Sequence, residues 1–318
     1  MVINQANMDA LFKTYSKRFS DAQQAAAARA YPNQLIAEEI ALLLPVTGAA
    51  VQHSWLDQIK GIHEWAGDRV LNNIKLQALT VANRSFENTV SVPRTSIEDD
   101  QYGMFAPLIG ALGADAETLW IKLAVASLLA NGTWADGNPF FCAGRKLSDS
   151  KSATAITNAV TTALSKTAAE AALTAIRGWK LAGDEPADAV PELLVVGPAL
   201  EGTAKTIVEA DIEANAGGTL AVSNVSPARM LKVRVDARIT GNKWYVTARK
   251  GGIPCCCVQQ RKKPALTRLD RDTDANVFMQ DKFLYGVDAR GESFLTLPFL
   301  AYAGGLDAAP AWDKTKVP

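Results

Sequence analysis

The chain has 318 residues, of which 48% are hydrophobic and 21% charged, a balance typical of a globular protein and not of a disordered one. Its 33 basic residues equal its 33 acidic residues, which argues against a protein that grips nucleic acid through the phosphates. We find no apolar stretch of the roughly 20 residues that cross a bilayer, and no signal-peptide pattern at residues 1–9, so we expect a protein made in the cytoplasm.

The N-terminal segment has the periodicity of an amphipathic helix over residues 4–30. Its apolar positions fall three or four residues apart at Met8, Leu11, Phe12, Tyr15 and Phe19. Pro32 marks the end of the helix, because proline cannot continue it. A helix with one apolar stripe must bury that stripe, either on the body of the chain or on a neighbouring subunit.

The next segment is predicted to be extended over residues 40–46 and 51–56, with a helical turn over 59–65. Alternation over residues 74–80 and 86–92, on either side of a turn at 83–85, predicts a β-hairpin with a thin apolar face. A hairpin alone in water is marginally stable. We therefore expect it to lie on another surface, which another chain could supply.

Two long helices are predicted next. Ser96, followed by the acids Glu98, Asp99 and Asp100, resembles a capping start for a helix over residues 102–131, which Asn131 and Gly132 would end. An Ala- and Thr-rich helix is predicted over 153–181, and residues 183–191 are interpreted as a linker.

The last third is predicted to be mostly β. A buried strand over 193–196 leads through Gly197 and Pro198 into a helix that ends near Glu209. Residues 218–270 are expected to contain a hairpin that turns at 240–242, and then a strand over 253–258. Strands over 278–287 and 293–303 would be joined at 290–292. The element order predicts an α+β protein.

The residues that usually carry chemistry do not form a recognisable site. His53 and His63 lack the short spacing of zinc ligands, and Cys142 lies in an apolar context that indicates a buried thiol. Residues 255–257 are three consecutive cysteines, which point to alternating faces of a strand. The acids at 98–100 are better explained as a helix start, and the basic run 261–263 as a solvated loop. We predict no catalytic, cofactor or metal site.

Several segments together resemble a known family. They are Trp55-Leu56, EWAGDRV at 64–70, FENTVSV at 86–92, IEDDQYG at 97–103 and FMQDKFLYGVDAR at 278–290. In order and spacing they are similar to the Mu-like phage major head subunit family. The resemblance spans most of the chain, and it is most specific between Trp55 and Gly103.

The resemblance implies the Hong Kong 97 type of phage capsid fold. Its parts would be an N-terminal arm (1–50), an extended loop region (51–96), a peripheral domain with a long spine helix (97–189), an axial domain (190–272) and a return to the peripheral domain (273–318). Contacts between subunits would be made by arm and loop residues, namely Phe12, Phe19, Ile74, Lys75, Leu76, Phe86, Val90 and Val92.

The implied function is a structural one. The chain would self-assemble into hexamers and pentamers of an icosahedral shell that encloses DNA without sequence-specific binding. Its partners would be a scaffolding protein, the portal, a head maturation protease and a decoration protein. It would reside in the virion after synthesis in the bacterial host cytoplasm. The alternatives are another phage structural protein, such as a tail tube or sheath subunit, and a cytoplasmic α/β enzyme.

Overall fold

The computed structural model describes residues 5–56, 76–99, 104–146, 155–181, 185–214, 221–271 and 273–317. The α-helices in these residues are α1 (Gln5–Ala27), α2 (Ala37–Ile40), α3 (Arg94–Glu98), α4 (Phe105–Ala130), α5 (Lys166–Gly178), α6 (Glu201–Val208) and α7 (Ala275–Gln280). The strands are β1 (Ala41–Pro45), β2 (Ala50–Leu56), β3 (Leu76–Ala82), β4 (Arg84–Pro93), β5 (Val190–Val196), β6 (Ile212–Ala214), β7 (Ala221–Ser223), β8 (Lys232–Val235), β9 (Trp244–Lys250), β10 (Ile253–Pro254), β11 (Cys256–Leu269), β12 (Lys282–Leu295) and β13 (Ala301–Gly304). The mixture of helices and mainly antiparallel sheets confirms the α+β prediction.

One sheet carries the long helices. Its strand order is β1-β11-β12-β4, with β1 parallel to β11 and the other pairs antiparallel. Helix α4 packs on this sheet, and α1 packs on α4. Phe283, Tyr285 and Val287 alternate along β12 and face this helical layer, where they join the core that α1 and α4 complete. The predicted long helix therefore covers one face of this sheet.

A second sheet forms the other half of the core. Its order is β10-β9-β5-β8, and β13 also pairs with β9. Strand β5 pairs parallel with β8 and antiparallel with β9. The predicted buried strand at 193–196 is confirmed within β5, and α6 confirms the helix that was expected after Pro198. Leu194, Val195 and Val196 are fully buried, as expected of a strand covered on both faces.

The predicted hairpin between residues 74–80 and 86–92 is wrong in its pairing. Strand β3 pairs with β2, from Ala50–Ala82 to Leu56–Leu76, whereas β4 pairs with β12. The turn at Asn83 is real, but it moves the chain from one sheet to another. Alternation predicted the strands correctly, because it depends only on side-chain burial. It could not identify their partners.

Two further expected strand pairs are also wrong. The turn at Gly241 exists, with a positive φ of 72°, but β5 lies between β8 and β9. Strand β12 runs unbroken through Gly291, where a turn was expected. A Cβ at Gly291 would lie 2.8 Å from the indole of Trp120, so this glycine allows α4 to approach the strand.

The second long helix is shorter than predicted. Helix α5 begins after Ser165, whose hydroxyl accepts a hydrogen bond from the Ala168 N–H. Residues 155–165 instead cross the core in an extended form, with bridges at Ile156 and Ala159. The buried Asn158 side chain accepts from Cys142 N–H and donates to the carbonyls of Phe140 and Pro298. These bonds to distant residues outweigh the local helix propensity of the alanines.

The start of α4 also differs from the sequence prediction. Ser96 lies inside the short helix α3, and α4 begins at Phe105 without a side-chain cap from Met104. Its predicted end is confirmed, because Asn131 adopts the left-handed conformation that commonly ends a helix. The predicted turn at 59–65, His63 and Asp100 lie outside the described residues. Within the described part, no helix is long and apolar enough to cross a membrane.

Candidate functional site: the β2–β3 hairpin and the N-terminal helix

The β2–β3 hairpin is closed at its base. The backbone N–H of Asn83 donates to the carbonyl of Ala49 at 2.9 Å, and its side-chain amide donates to Gly48 at 2.9 Å. Seven residue pairs join the two strands, and residues 57–75 connect their far ends. The two bonds of Asn83 thus extend the ladder by one step at the end where β3 leads into β4.

A small contact cluster fastens this hairpin to the first sheet. Val81 of β3 packs with Cys257 of β11 and Phe294 of β12. His53 of β2 lies with its ring centroid 4.4 Å from that of Phe294, and its Nε2 is 2.8 Å from the amide nitrogen of Gln259. Partial burial lowers the pKa of His53, because the charged imidazolium loses hydration there. The base of the hairpin is therefore a defined part of the subunit.

The N-terminal helix docks on the body of its own chain. Met8, Tyr15 and Phe19 are buried against α4 and the sheet, which confirms the predicted apolar stripe. Tyr15 meets Tyr285 edge to face at a centroid distance of 5.3 Å. Between the two surfaces that the sequence left open for this stripe, the structure shows the body of the chain.

Arg268 of β11 holds the helix in place. Its guanidinium lies 4.3 Å from the centroid of Phe12, and it donates to the carboxylate of Asp9 at 2.6 Å and to that of Asp270 at 3.3 Å. The hydrogen bond from Arg268 lowers the pKa of Asp9. Burial raises the pKa of Asp270 in spite of the same arginine. One cation therefore joins an exposed carboxylate, a buried carboxylate and an aromatic ring.

The predicted contact residues lie in different environments. Phe19 and Val92 are buried inside the subunit. The half-buried ones are Phe12, Phe86 and Val90, and Arg84 lies over the Phe86 ring at 5.5 Å. Leu76 belongs to β3, but its side chain is outside the described part, as are Ile74 and Lys75. The surface available for association therefore excludes Phe19 and Val92 in the isolated subunit.

Other exposed apolar side chains were not singled out from the sequence. Phe278 and Met279 of α7 are 83% and 75% exposed, and Val225, after the β6–β7 ribbon, is 84% exposed. Phe278 and Met279 belong to the segment that carries the family resemblance; the sequence pattern predicts them at the start of a strand, whereas they lie in α7. An exposed phenylalanine beside an exposed methionine is a common feature of contact surfaces.

The thiols are buried in the core. Cys142, Cys255, Cys256 and Cys257 are all reduced and buried. Burial raises the pKa of Cys255 and of Cys257 to about 12 and the pKa of Cys256 well above its ordinary value. A thiol that stays protonated is a poor nucleophile and a poor metal ligand. In the described part of the chain, no three His, Cys, Asp or Glu residues are grouped as a metal site would require.

A family model described as Mu-like prophage major head subunit gpT matches residues 8–163, 152–233 and 222–313. The Mu-like prophage FluMu major head subunit of Haemophilus influenzae is 27% identical over 307 residues, which cover 95% of this chain and 75% of that protein. The major capsid protein of Escherichia phage Mu is 28% identical over 116 residues, 36% of each chain.

Solved structures show the same fold. The procapsid protein of bacteriophage JBD30 superposes with a TM-score of 0.57 at 22% identity, over 98% of this chain and 78% of that one. The capsid protein of cyanophage P-SCSP1u gives a TM-score of 0.57 at 10% identity, over 87% and 89% of the two chains. The virus-like particle protein of Pyrococcus furiosus gives 0.53 at 10% identity, over 92% and 97%. The fold is thus the Hong Kong 97 type that the resemblance implied.

Proposed function

The chain belongs to the Mu-like prophage major head subunit family, and from that premise we propose that it builds an icosahedral phage head by self-association through its β2–β3 hairpin and its N-terminal helix. The family match from residue 8 to residue 313 carries the proposal, because it covers both of these elements and the core between them. The protein is a structural capsid subunit, and the proposal concerns the surfaces that it uses.

The hairpin is the first of these surfaces. Its base is fastened by His53, Val81 and Phe294, while the ladder continues away from that base toward residues 57–75. A two-stranded ribbon buries little apolar area by itself. A neighbouring subunit would supply the missing contact, and Ile74, Lys75 and Leu76 lie in the part of the chain that would reach it.

The helix α1 and the exposed apolar residues are the second set of surfaces. Phe12 is half-buried beside Arg268, and Phe86 and Val90 are half-buried on β4, so each keeps part of its side chain accessible. Phe278 and Met279 add an apolar patch on α7. In a closed shell the same patches recur at every subunit, so a modest contact is multiplied by symmetry.

The domain assignment follows the same proposal. We keep the division into an arm (1–50), a loop region (51–96), a peripheral domain (97–189), an axial domain (190–272) and a peripheral return (273–318). Strand β11 lies in the fourth part by number but shares a sheet with β12 and β4. The axial domain would therefore consist mainly of β5, β8, β9 and β10 of the second sheet with α6.

The expected partners are those of a head precursor. We propose hexamers and pentamers of this chain, assembled in the host cytoplasm with a scaffolding protein, a portal and a maturation protease, and carrying a decoration protein. Equal numbers of basic and acidic residues suit a shell that encloses DNA without holding it tightly. We propose no enzymatic activity, since among the residues that the structure describes the buried thiols and scattered acids offer no assembled catalytic group.

The decisive experiment shortens the hairpin. Residues 57–75 are replaced by a two-residue Asn-Gly turn that keeps β2 and β3 paired. We expect a folded subunit that no longer forms closed shells, because the ladder stays intact while the reach to the neighbour is lost. Electron microscopy and light scattering give the readout. Deleting 74–92 instead would remove β4 from the sheet and is expected to unfold the subunit.

The alternative functions predict other particles. Tubes from the unmodified protein would favour a tail tube or sheath subunit. A small monodisperse species under all assembly conditions, with or without the scaffolding protein, would contradict the shell proposal. If the shortened variant forms the same shells as the parent, the shell function stands, but the hairpin is not one of the contacts that build the shell.

A further inference from the structure

Two different kinds of contact hold the N-terminal helix α1 on the body of the chain. Its second half is anchored by close packing, because an added Cβ at Gly113 of α4 would lie 2.5 Å from the carbonyl oxygen of Phe19. Its first half, residues 5–15, meets a charged side chain of β11. Arg268 donates to the carbonyl of Met8 at 3.3 Å and to the carboxylate of Asp9 at 2.6 Å. The two halves therefore depend on different forces.

The buried carboxylate of Asp270 lies next to the contacts of this first half. Its Oδ2 is 3.3 Å from Arg268 and 3.5 Å from the hydroxyl of Tyr285, distances at the long end of the hydrogen-bond range. Its Oδ1 is buried without a hydrogen-bond partner among the described residues. Tyr15 of α1 packs edge to face on Tyr285, so the helix helps to keep water away from this carboxylate. A buried charge with an unsatisfied oxygen costs free energy in the state that buries it.

The charges around this site act in opposite directions on the two carboxylates. Burial raises the pKa of Asp270, and the negative charge of Asp274 adds to that effect. The hydrogen bond from Arg268 lowers the pKa of Asp9, and the positive charge of Arg271 contributes to the same effect. Docking of the first half of α1 therefore favours the ionised form of Asp9 and disfavours the ionised form of Asp270.

We propose that the first half of α1 is a releasable strap whose docking is weakened at neutral pH by the ionised side chain of Asp270. When the strap lifts, Asp270 regains water and keeps Arg268 as its ion partner, so the cost of its burial is relieved. The packing of Phe19 stays in place, because it is apolar and does not depend on these charges. A lifted strap also uncovers Phe12 and Tyr15. The inference concerns the isolated subunit and does not depend on shell assembly.

Removal of the buried charge tests the strap in the free subunit. Asp270→Asn keeps the shape of the side chain, and Arg268 still has a carboxylate partner on α1. At pH 7 we expect amide hydrogen exchange at residues 8–15 to slow by about fivefold or more, because the docked state no longer buries an unsatisfied charge. Exchange at residues 18–24 should stay the same. Equal slowing of both segments would overturn the proposal, since α1 would then open as one unit.

A matched variant controls for the loss of one negative charge. Asp288→Asn removes the same charge from an exposed pair with Lys262 on the first sheet, and we expect it to leave exchange of α1 unchanged. Unchanged or faster exchange at residues 8–15 in Asp270→Asn would overturn the proposal. Such a result would mean that the carboxylate of Asp270 does not oppose docking of the helix.

The pH dependence tests the parent protein without a substitution. Because burial raises the pKa of Asp270, docking of the strap gains strength as the pH falls through that raised value. The contribution of Asp9, whose pKa the Arg268 hydrogen bond lowers, is present above its ordinary value of 3.8 and is lost only at lower pH. We expect protection of residues 8–15, corrected for intrinsic exchange, to rise from about pH 7.5 to about pH 4.5 in the parent and to stay level in Asp270→Asn. Identical profiles for the two proteins, or a fall in the parent, would refute the strap.

Discussion

His53 and Gln259 join the β2–β3 hairpin to the first sheet, with 2.8 Å between the His53 Nε2 and the Gln259 amide nitrogen. The two residues are 206 positions apart, so this contact exists only in the folded chain. It places a titratable group at the base of the element that we propose to reach a neighbouring subunit. This geometry favours a neutral imidazole, whose unprotonated Nε2 accepts a hydrogen bond from the Gln259 amide.

This contact predicts a pH dependence. Burial lowers the pKa of His53, so the unfolded chain takes up the proton first as the pH falls through its ordinary value. Stability from this group is present at neutral pH and is lost on acidification below about 6.5. We expect the free energy of unfolding of the parent to approach that of His53→Gln between pH 7.5 and pH 5. Parallel pH profiles for the two proteins would contradict this assignment.

Gly113 is predicted to be essential for docking of the N-terminal helix. A Cβ at Gly113 would lie 2.5 Å from the carbonyl oxygen of Phe19, whereas one at Gly110 would meet only the Ala22 Cβ at 3.9 Å. We expect Gly113→Ala to destabilise the subunit by about 1–3 kcal/mol through overpacking. Gly110→Ala should stabilise it by about 0.5–1 kcal/mol through helix propensity. Urea unfolding of both variants gives the values, and equal effects would argue against this close helix contact.

The buried ion pair of Arg145 and Asp136 is predicted to be a strong determinant of stability. Arg145 is fully buried, lies 5.1 Å from the centroid of Trp134 and donates to the carbonyl of Phe140 at 3.3 Å. Arg145→Met should cost about 3–5 kcal/mol, because Asp136 would stay buried without its partner. The further change Asp136→Asn should recover part of that loss. Lys205→Met, in an exposed pair with Glu201, is the control and should change the unfolding midpoint little.

The cysteines are predicted to be unreactive until the subunit unfolds. All four are buried, and burial raises the pKa of Cys142 as well as those of residues 255–257. At pH 8 the thiolate fraction is therefore very small, and the reagent cannot reach the sulfur atoms. Titration with a chromogenic disulfide should give no rapid reaction in the native protein and four thiols in denaturant. A rapidly reacting thiol in the native state would refute the buried placement of that cysteine.

The sequence by itself determined the local elements. The spacing of Met8, Tyr15 and Phe19 predicted α1, and the apolar run with Asn131 at its end predicted α4, because periodicity and end signals depend on neighbours in the chain. The family motifs predicted the fold class and the role as a head subunit, which the structure and the relatives support along nearly the whole chain.

Only the tertiary structure decided which strands pair and which surfaces remain. Alternation predicted β3 and β4 but could not show that they belong to different sheets, since pairing is fixed by residues such as Gln259 and Phe294 far along the chain. The sequence predicts a turn at Gly291, but in the structure this glycine lies within β12, where Trp120 of α4 packs against it. The sequence predicts Phe19 as a contact residue between subunits, but α4 buries its side chain inside the subunit. Burial and strand pairing depend on contacts between residues that are far apart in the sequence, and local patterns do not show which of those residues meet.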